Sequence, residues 1–176
     1  MSKTSLRKAT AAFSADEMRQ LLFDLYAKSK EAKEWLDFYA DPDVAKKLEA
    51  YKKPILKEVE RYSHHAHRPR LAKIRPIIKK FLIFDPGDPA VGELMAFTML
   101  NLMRIGAEAV FPDTTLEQID KFFGETLTFL HTRRLLDEYE PQFIRALEKM
   151  KDFRYYPNPL RLRLGSTLAQ FKSDNP

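Results

Sequence analysis

Apolar residues recur at intervals of three and four along most of the chain, and strand-like alternation is confined to one stretch near the end. Met18, Leu21, Leu22 and Leu25 form one helical stripe. It opens at Ser14 and Glu17, the spacing of a capping box, in which the hydroxyl accepts from the Glu17 amide and the carboxylate reaches back to the Ser14 amide. Residues 4–12 read as a short helix before it. Ala32, Trp35, Leu36 and Tyr39 mark a helix over residues 30–40, with a bend at Ser29 between the two. Asp41 and Pro42 predict the next start, because the carboxylate caps free amides and proline occupies a position whose amide is unpaired anyway. That helix is expected to reach Tyr62 and to kink at Pro54, where one ladder bond is missing.

From 70 to 84, Leu71, Ile74, Ile77, Ile78, Phe81 and Leu82 share one face while Lys73, Arg75, Lys79 and Lys80 share the other, an amphipathic helix despite Pro76. The linker DPGDP at 85–89 ends in Asp88 and Pro89, the same capping device, and opens a helix to about 110. That segment is apolar around most of its circumference, so it is expected at the centre of the fold. After PDTT, Thr114 with Glu117 or Thr115 with Gln118 supplies a capping box for a helix through Arg133, and a last one spans 136–151 with Pro141 near its start. Eight helical segments on short connections predict an all-α domain over residues 1–152, either an irregular antiparallel helical bundle or a short α-solenoid of helix pairs. In the tail, 153–176, Leu160, Leu162 and Leu164 alternate with Arg161 and Arg163, which predicts an extended segment with one oily edge. That edge either covers a groove on its own domain, the preferred reading, or is lent to a second copy.

Composition narrows the chemistry. With 176 residues the chain is long enough for a real core, and with no cysteine it has no disulfide, thiolate ligand or cysteine nucleophile. The longest oily stretch, 94–111, is interrupted by Asn101, Arg104 and Glu108, and the first residues lack the apolar run of a secretory signal. A cytoplasmic protein without membrane contact is the expectation. The net charge of +5 divides into +8 over 1–84, −6 over 85–153 and +3 over 154–176, which favours either an acidic partner or attraction between the segments themselves. Glycine occurs only five times, and no nucleophile elbow, zinc-protease helix, phosphate loop or dinucleotide fingerprint is present, so no catalytic residue and no cofactor is assigned.

Two constellations remain. "SHHAHRPR" at 63–70 places three histidines in four positions. Were the preceding helix to continue to Ala66, Glu60, His64 and His67 would lie on one face as one oxygen and two imidazole ligands, the set of an open zinc site. Pro69 opposes this by forcing Arg68 out of helical geometry, and Arg61, Arg68 and Arg70 crowd a dication. The anion reading is stronger: between Arg61 and Lys80 there are seven lysines and arginines and no acid, with Arg68, Arg70 and Lys73 at a helix start and Arg75, Lys79 and Lys80 beyond. The plain alternative is the wet face of an amphipathic helix. Glu93, Asn101, Arg104 and Glu108 form a narrow polar stripe on the central helix that His131 is positioned to approach, read as a solvent-facing strip with a weak Arg104–Glu108 pair. Trp35, Phe38, Tyr39, Phe122, Phe123 and Phe129 fall at helical spacing and are read as core.

The opening MSKTSLRKA, the stretch FDLYAKSKEAKEWLDFYADPD, the YKKPILKE after it and HTRRLLDEYEPQFIRALEKM resemble a family of small bacterial all-helical proteins known as a domain of unknown function. KEAKEWLDFY is the most specific part, and the resemblance covers most of 1–152. It implies a helical fold with a basic stretch at RPRLAKIRPIIKK, and no activity whose residues carry over. The reading as a whole is a non-enzymatic helical binding or scaffold domain whose basic surface, 61–80, holds an anionic partner such as nucleic acid or a phosphorylated ligand. The alternatives are a metal-dependent hydrolase on Glu60, His64 and His67, and a protein-interaction module, self-associating through the C-terminal tail in one form.

Overall fold

The computed structural model describes residues 2–175, which divide into two compact units, Met1–Asp43 and Val44–Pro176. In the first, α1 (Lys3–Thr10) is capped by Ser2, and α2 (Ala15–Lys28) opens with the expected capping box, Glu17 Oε2 accepting from the Ser14 amide at 2.7 Å. Ser29 is a full break rather than a bend. Its backbone is extended (φ −125°), its amide closes α2 by donating to Leu25 O, and its hydroxyl caps α3 (Lys30–Ala40) by accepting from the Ala32 amide at 3.1 Å. α2 and α3 pack as a hairpin, tied by Tyr26 donating to Asp37 Oδ1 at 2.8 Å.

The second unit holds α4 (Val44–Val59), a two-stranded hairpin of β1 (Tyr62–Ser63) and β2 (Ala66–His67), α5 (Leu71–Leu82), α6 (Asp88–Gly106), α7 (Asp113–Thr132), α8 (Leu136–Lys149) and α9 (Pro159–Asp174). α6 is the central helix, touching α4, α5, α7, α8 and α9. Leu94, Met99 and Leu102 on it are fully buried, with Ile74 and Phe81 of α5, Phe123 and Leu127 of α7, and Phe143 of α8. A solenoid repeat touches only its neighbours, whereas here one helix is wrapped by five, so the architecture is an all-α bundle. Among the described residues no helix is long and apolar enough to cross a membrane.

Several expectations are corrected. α4 begins at Val44, two residues past Pro42, because Asp41 instead ends α3, its amide donating to Asp37 O. It stops at Val59, short of Tyr62, where the chain turns into the hairpin. Gly87, at φ +86°, takes the N-cap of α6, so Asp88 is the first helical residue and lies 3.5 Å from Arg133. α7 begins at Asp113 without a side-chain cap, leaving Thr114 and Thr115 inside its first turn.

The largest correction is the tail: 159–174 is helical, giving nine helices among the described residues. Asn158, fully buried, accepts from the amides of Leu160 and Arg161 at 3.1 Å each and donates to Gly106 O at 2.9 Å. Pro159 follows at the first helical position. In this helix Leu160, Leu164 and Leu168 fall at i, i+4 and i+8 and are buried, α9 packing mainly on α7, while Leu162 is exposed. The oily edge proposed for self-association is therefore consumed inside its own unit.

Candidate functional site

The histidine segment is a tight turn. His64 and His65 both have positive φ (53° and 59°), and Tyr62 pairs with His67 and Ser63 with Ala66 across it. Two consecutive left-handed residues are the signature of a type I′ hairpin turn, whose twist matches the flanking strands. Histidine is among the few non-glycine types enriched in that region. The ladder continues as Arg68 N donates to Arg61 O at 2.8 Å. The helical face that was to join Glu60, His64 and His67 therefore does not form. Glu60 accepts from Arg104 Nη2 instead, and His67 sets its ring edge-on to Tyr62 at 5.2 Å. Among the described residues no group of three or more histidines and carboxylates is placed to hold a metal ion.

The basic segment divides between internal and free charge. Arg70 forms a two-pronged bond to Glu58, Nε to Oε2 at 2.6 Å and Nη2 to Oε1 at 2.8 Å. That bond holds the Glu58 carboxyl below its ordinary range and the guanidinium above its own. Arg75 bonds Glu125 on α7 and stands 5.5 Å from the centre of the Phe122 ring. Arg70, expected as a main anion contact, and Arg75 thus fasten α5 to α4 and α7. The other four differ. Lys73, Lys79 and Lys80 are exposed and Arg68 is half-buried, and among the described residues none of these side chains has a hydrogen-bond or ion-pair partner. Lys73 and Lys80 are seven residues apart, about 10 Å along the helix, and Lys79 lies between them along the axis, about 100° around from Lys80.

The polar stripe of α6 is tied to its neighbours. Glu93 accepts from Lys52 at 2.6 Å, and Lys52 also bonds Glu49 at 2.7 Å. Burial works against the Lys52 ammonium, but the two carboxylates outweigh it and raise the pKa. Asn101 donates to Phe97 O at 2.8 Å, and Arg104 reaches Glu60 rather than Glu108. His131 lies elsewhere, edge-on to Phe171 of α9 at 5.7 Å. Between α6 and α8 lies an open cleft of about 520 Å³ lined by Leu100, Met103, Arg104 and Glu108 of the one and Arg145 and Lys149 of the other. Lys149 stands in the last turn of α8, where the helix dipole favours a cation, which accounts for it without a ligand.

The charged segments of unit two do meet. Arg75–Glu125, Lys52–Glu93 and Glu60–Arg104 link the first segment to the second, and Lys172–Glu140 at 2.5 Å links the third. In the Met1–Asp43 unit the aromatic reading is corrected: Trp35 is 40 % and Tyr39 72 % exposed, stacked on each other at 5.4 Å. Phe122 and Phe123 are buried as expected. Leu22, Phe23, Tyr26, Leu36 and Tyr39 line an apolar groove of about 350 Å³ that the helical spacing did not reveal, because a stripe facing solvent and a stripe facing a core read alike. Comparison of the chain with family models, with curated proteins and with solved structures returns no match.

Proposed function

We propose that this protein is a cytoplasmic, non-enzymatic binding domain that holds a nucleic-acid backbone against the exposed side of α5. The observation that carries the reading is the division of charge on that helix: Arg70 and Arg75 are engaged by Glu58 and Glu125, while Lys73, Lys79 and Lys80 extend into solvent with no carboxylate partner among the described residues. Three ammonium groups spread over about 10 Å suit an extended polyanion better than a single compact phosphate. Point charges of this kind neutralise backbone phosphates without reading bases, so the affinity is salt-dependent and largely indifferent to sequence.

The test is fluorescence anisotropy of a labelled DNA duplex at low salt, with the native chain and with Lys73→Ala, Lys79→Ala and Lys80→Ala combined. The native chain is expected to bind and the triple variant to lose at least about tenfold, three phosphate contacts being removed. Arg70→Ala is expected to cost less affinity than the triple variant, since its guanidinium is already committed. Absence of binding at low salt, or equal affinity in the triple variant, removes the proposal. Competition by inorganic pyrophosphate as effective as by duplex would transfer the site to a compact phosphorylated ligand.

A further inference from the structure

None of the described residues from 2 to 43 is buried, although α2 and α3 carry a continuous apolar stripe. Phe23 is 67 %, Leu25 45 %, Leu22 44 % and Tyr26 36 % exposed, beside Tyr39. A segment of about this size rarely supports itself without a staple or a partner. It has no cysteine for a disulfide, and among the described residues no metal cluster. What it offers is the groove between α2 and α3, whose lining is apolar apart from Arg19, paired with Asp16, and Asp37, which accepts from Tyr26.

We infer that this face docks on the same face of a second copy of the chain, the two α2–α3 hairpins closing into a four-helix bundle. Three properties select a second copy over a foreign partner. First, the two charges in the groove lining are already satisfied within the chain, Arg19 by Asp16 at 2.6 Å and Asp37 by Tyr26 at 2.8 Å, so what the face presents is its apolar side chains, which a twofold-related copy matches with the same residues. Second, the unit has seven basic and eight acidic side chains interspersed, a balance that neither repels its own kind nor selects a strongly charged partner. Third, the area fits. With aromatic side chains of roughly 150–250 Å², the exposed fractions of Phe23, Tyr26 and Tyr39 leave on the order of 350 Å² per copy, close to half of the ~800 Å² that each partner contributes to a standard interface, Leu22, Leu36 and the residues around the groove supplying the rest. The helical stripes then bury their apolar positions as bundle helices do.

Sedimentation velocity of the full chain over a wide concentration range tests this. The native chain is expected to pass from a species of 20.6 kDa to one of twice that mass as concentration rises. Phe23→Ser with Tyr39→Ser is expected to stay monomeric. Because that variant can also lose its fold, Phe23→Lys alone provides the decisive arm. Phe23 is 67 % exposed, so the hairpin tolerates the change, while two like charges on the facing surfaces are expected to weaken the dimer several-fold with helix content unchanged. The emission of Trp35, the only tryptophan, reports this unit and is expected to melt at higher temperature as concentration rises. A native chain that remains monomeric throughout, whether or not another protein binds the groove, overturns the inference, as does a Phe23→Lys chain that dimerises as strongly as the native one. None of these residues lies on α5, so this test and that of polyanion binding fail independently.

Discussion

Asn158→Ala is the substitution with the largest consequence per atom removed. Its amide performs two tasks at once: Oδ1 caps α9 through the amides of Leu160 and Arg161, and Nδ2 satisfies the Gly106 carbonyl at the end of α6, all at a position with no solvent exposure. Loss of an N-cap costs about 1 kcal/mol. Stranding a buried carbonyl adds about 1–3 kcal/mol, because water cannot replace the lost donor. The total is about 2–4 kcal/mol, which for a chain of this length lowers Tm by roughly 5–15 °C. Asn158→Ser separates the tasks: the hydroxyl still caps α9 but is too short to reach Gly106, so about 1 kcal/mol is recovered relative to alanine. Urea unfolding followed by far-ultraviolet circular dichroism is the appropriate assay, since Trp35 lies in the other unit and does not report α9. A loss below about 0.5 kcal/mol for alanine, or equal losses for alanine and serine, would refute the assigned role of this side chain.

Gly106→Ala is expected to destabilise by about 1–3 kcal/mol, because a Cβ there falls 2.3 Å from Leu160 Cδ2 in the packed α6–α9 contact; urea unfolding checks it. Phe143→Ala removes a fully buried ring set edge-on to Phe123 at 5.3 Å, and the same assay is expected to show a loss of about 3–5 kcal/mol. Glu58 has a folded pKa below its ordinary 4.5, so its pairing with Arg70 contributes fully above that pH and is lost as pH falls through the folded value. Acid titration of stability is therefore expected to show a shallower decline below pH 4.5 in Arg70→Ala than in the native chain. Burial, with Glu138 and Glu93 nearby, pushes the Tyr139 hydroxyl up to about 12, so folding stability is held below the ordinary value of 10.0 and declines as pH rises between the two. Ultraviolet titration is expected to show a tyrosine step near 12 that Tyr139→Phe removes.

Local signals were readable and long-range ones were not. The Ser14–Glu17 box and the uniformly apolar run of α6 each declare themselves within a few residues, and both stand in the structure. The hairpin at 62–67 does not, because two histidines take the place of the usual asparagine and glycine in its turn. Without that turn, Glu60, His64 and His67 line up on a helix that the chain never makes. The tail reads equally as strand or helix, because leucines at alternate positions also satisfy i and i+4, as Leu160 and Leu164 do. Asn158–Pro159 decides for a helix, because Asn158 caps the amides of Leu160 and Arg161, which Asp41 and Asp88 do not do before their own prolines. At the candidate site, the cationic helix face was legible from period alone. Which of its charges face water was not, since Glu58 lies 12 residues and Glu125 50 residues from the arginines they engage.

The salt dependence of duplex binding tests the central claim most directly, measured as log K against log salt for the native chain and for the combined Lys73→Ala, Lys79→Ala and Lys80→Ala variant. Each phosphate neutralised contributes about 0.9 to the slope, so three lysines predict a native slope steeper by about 2–3 than that of the variant. Identical slopes, or no duplex binding by the native chain at low salt, would contradict the assignment of α5 as the binding surface.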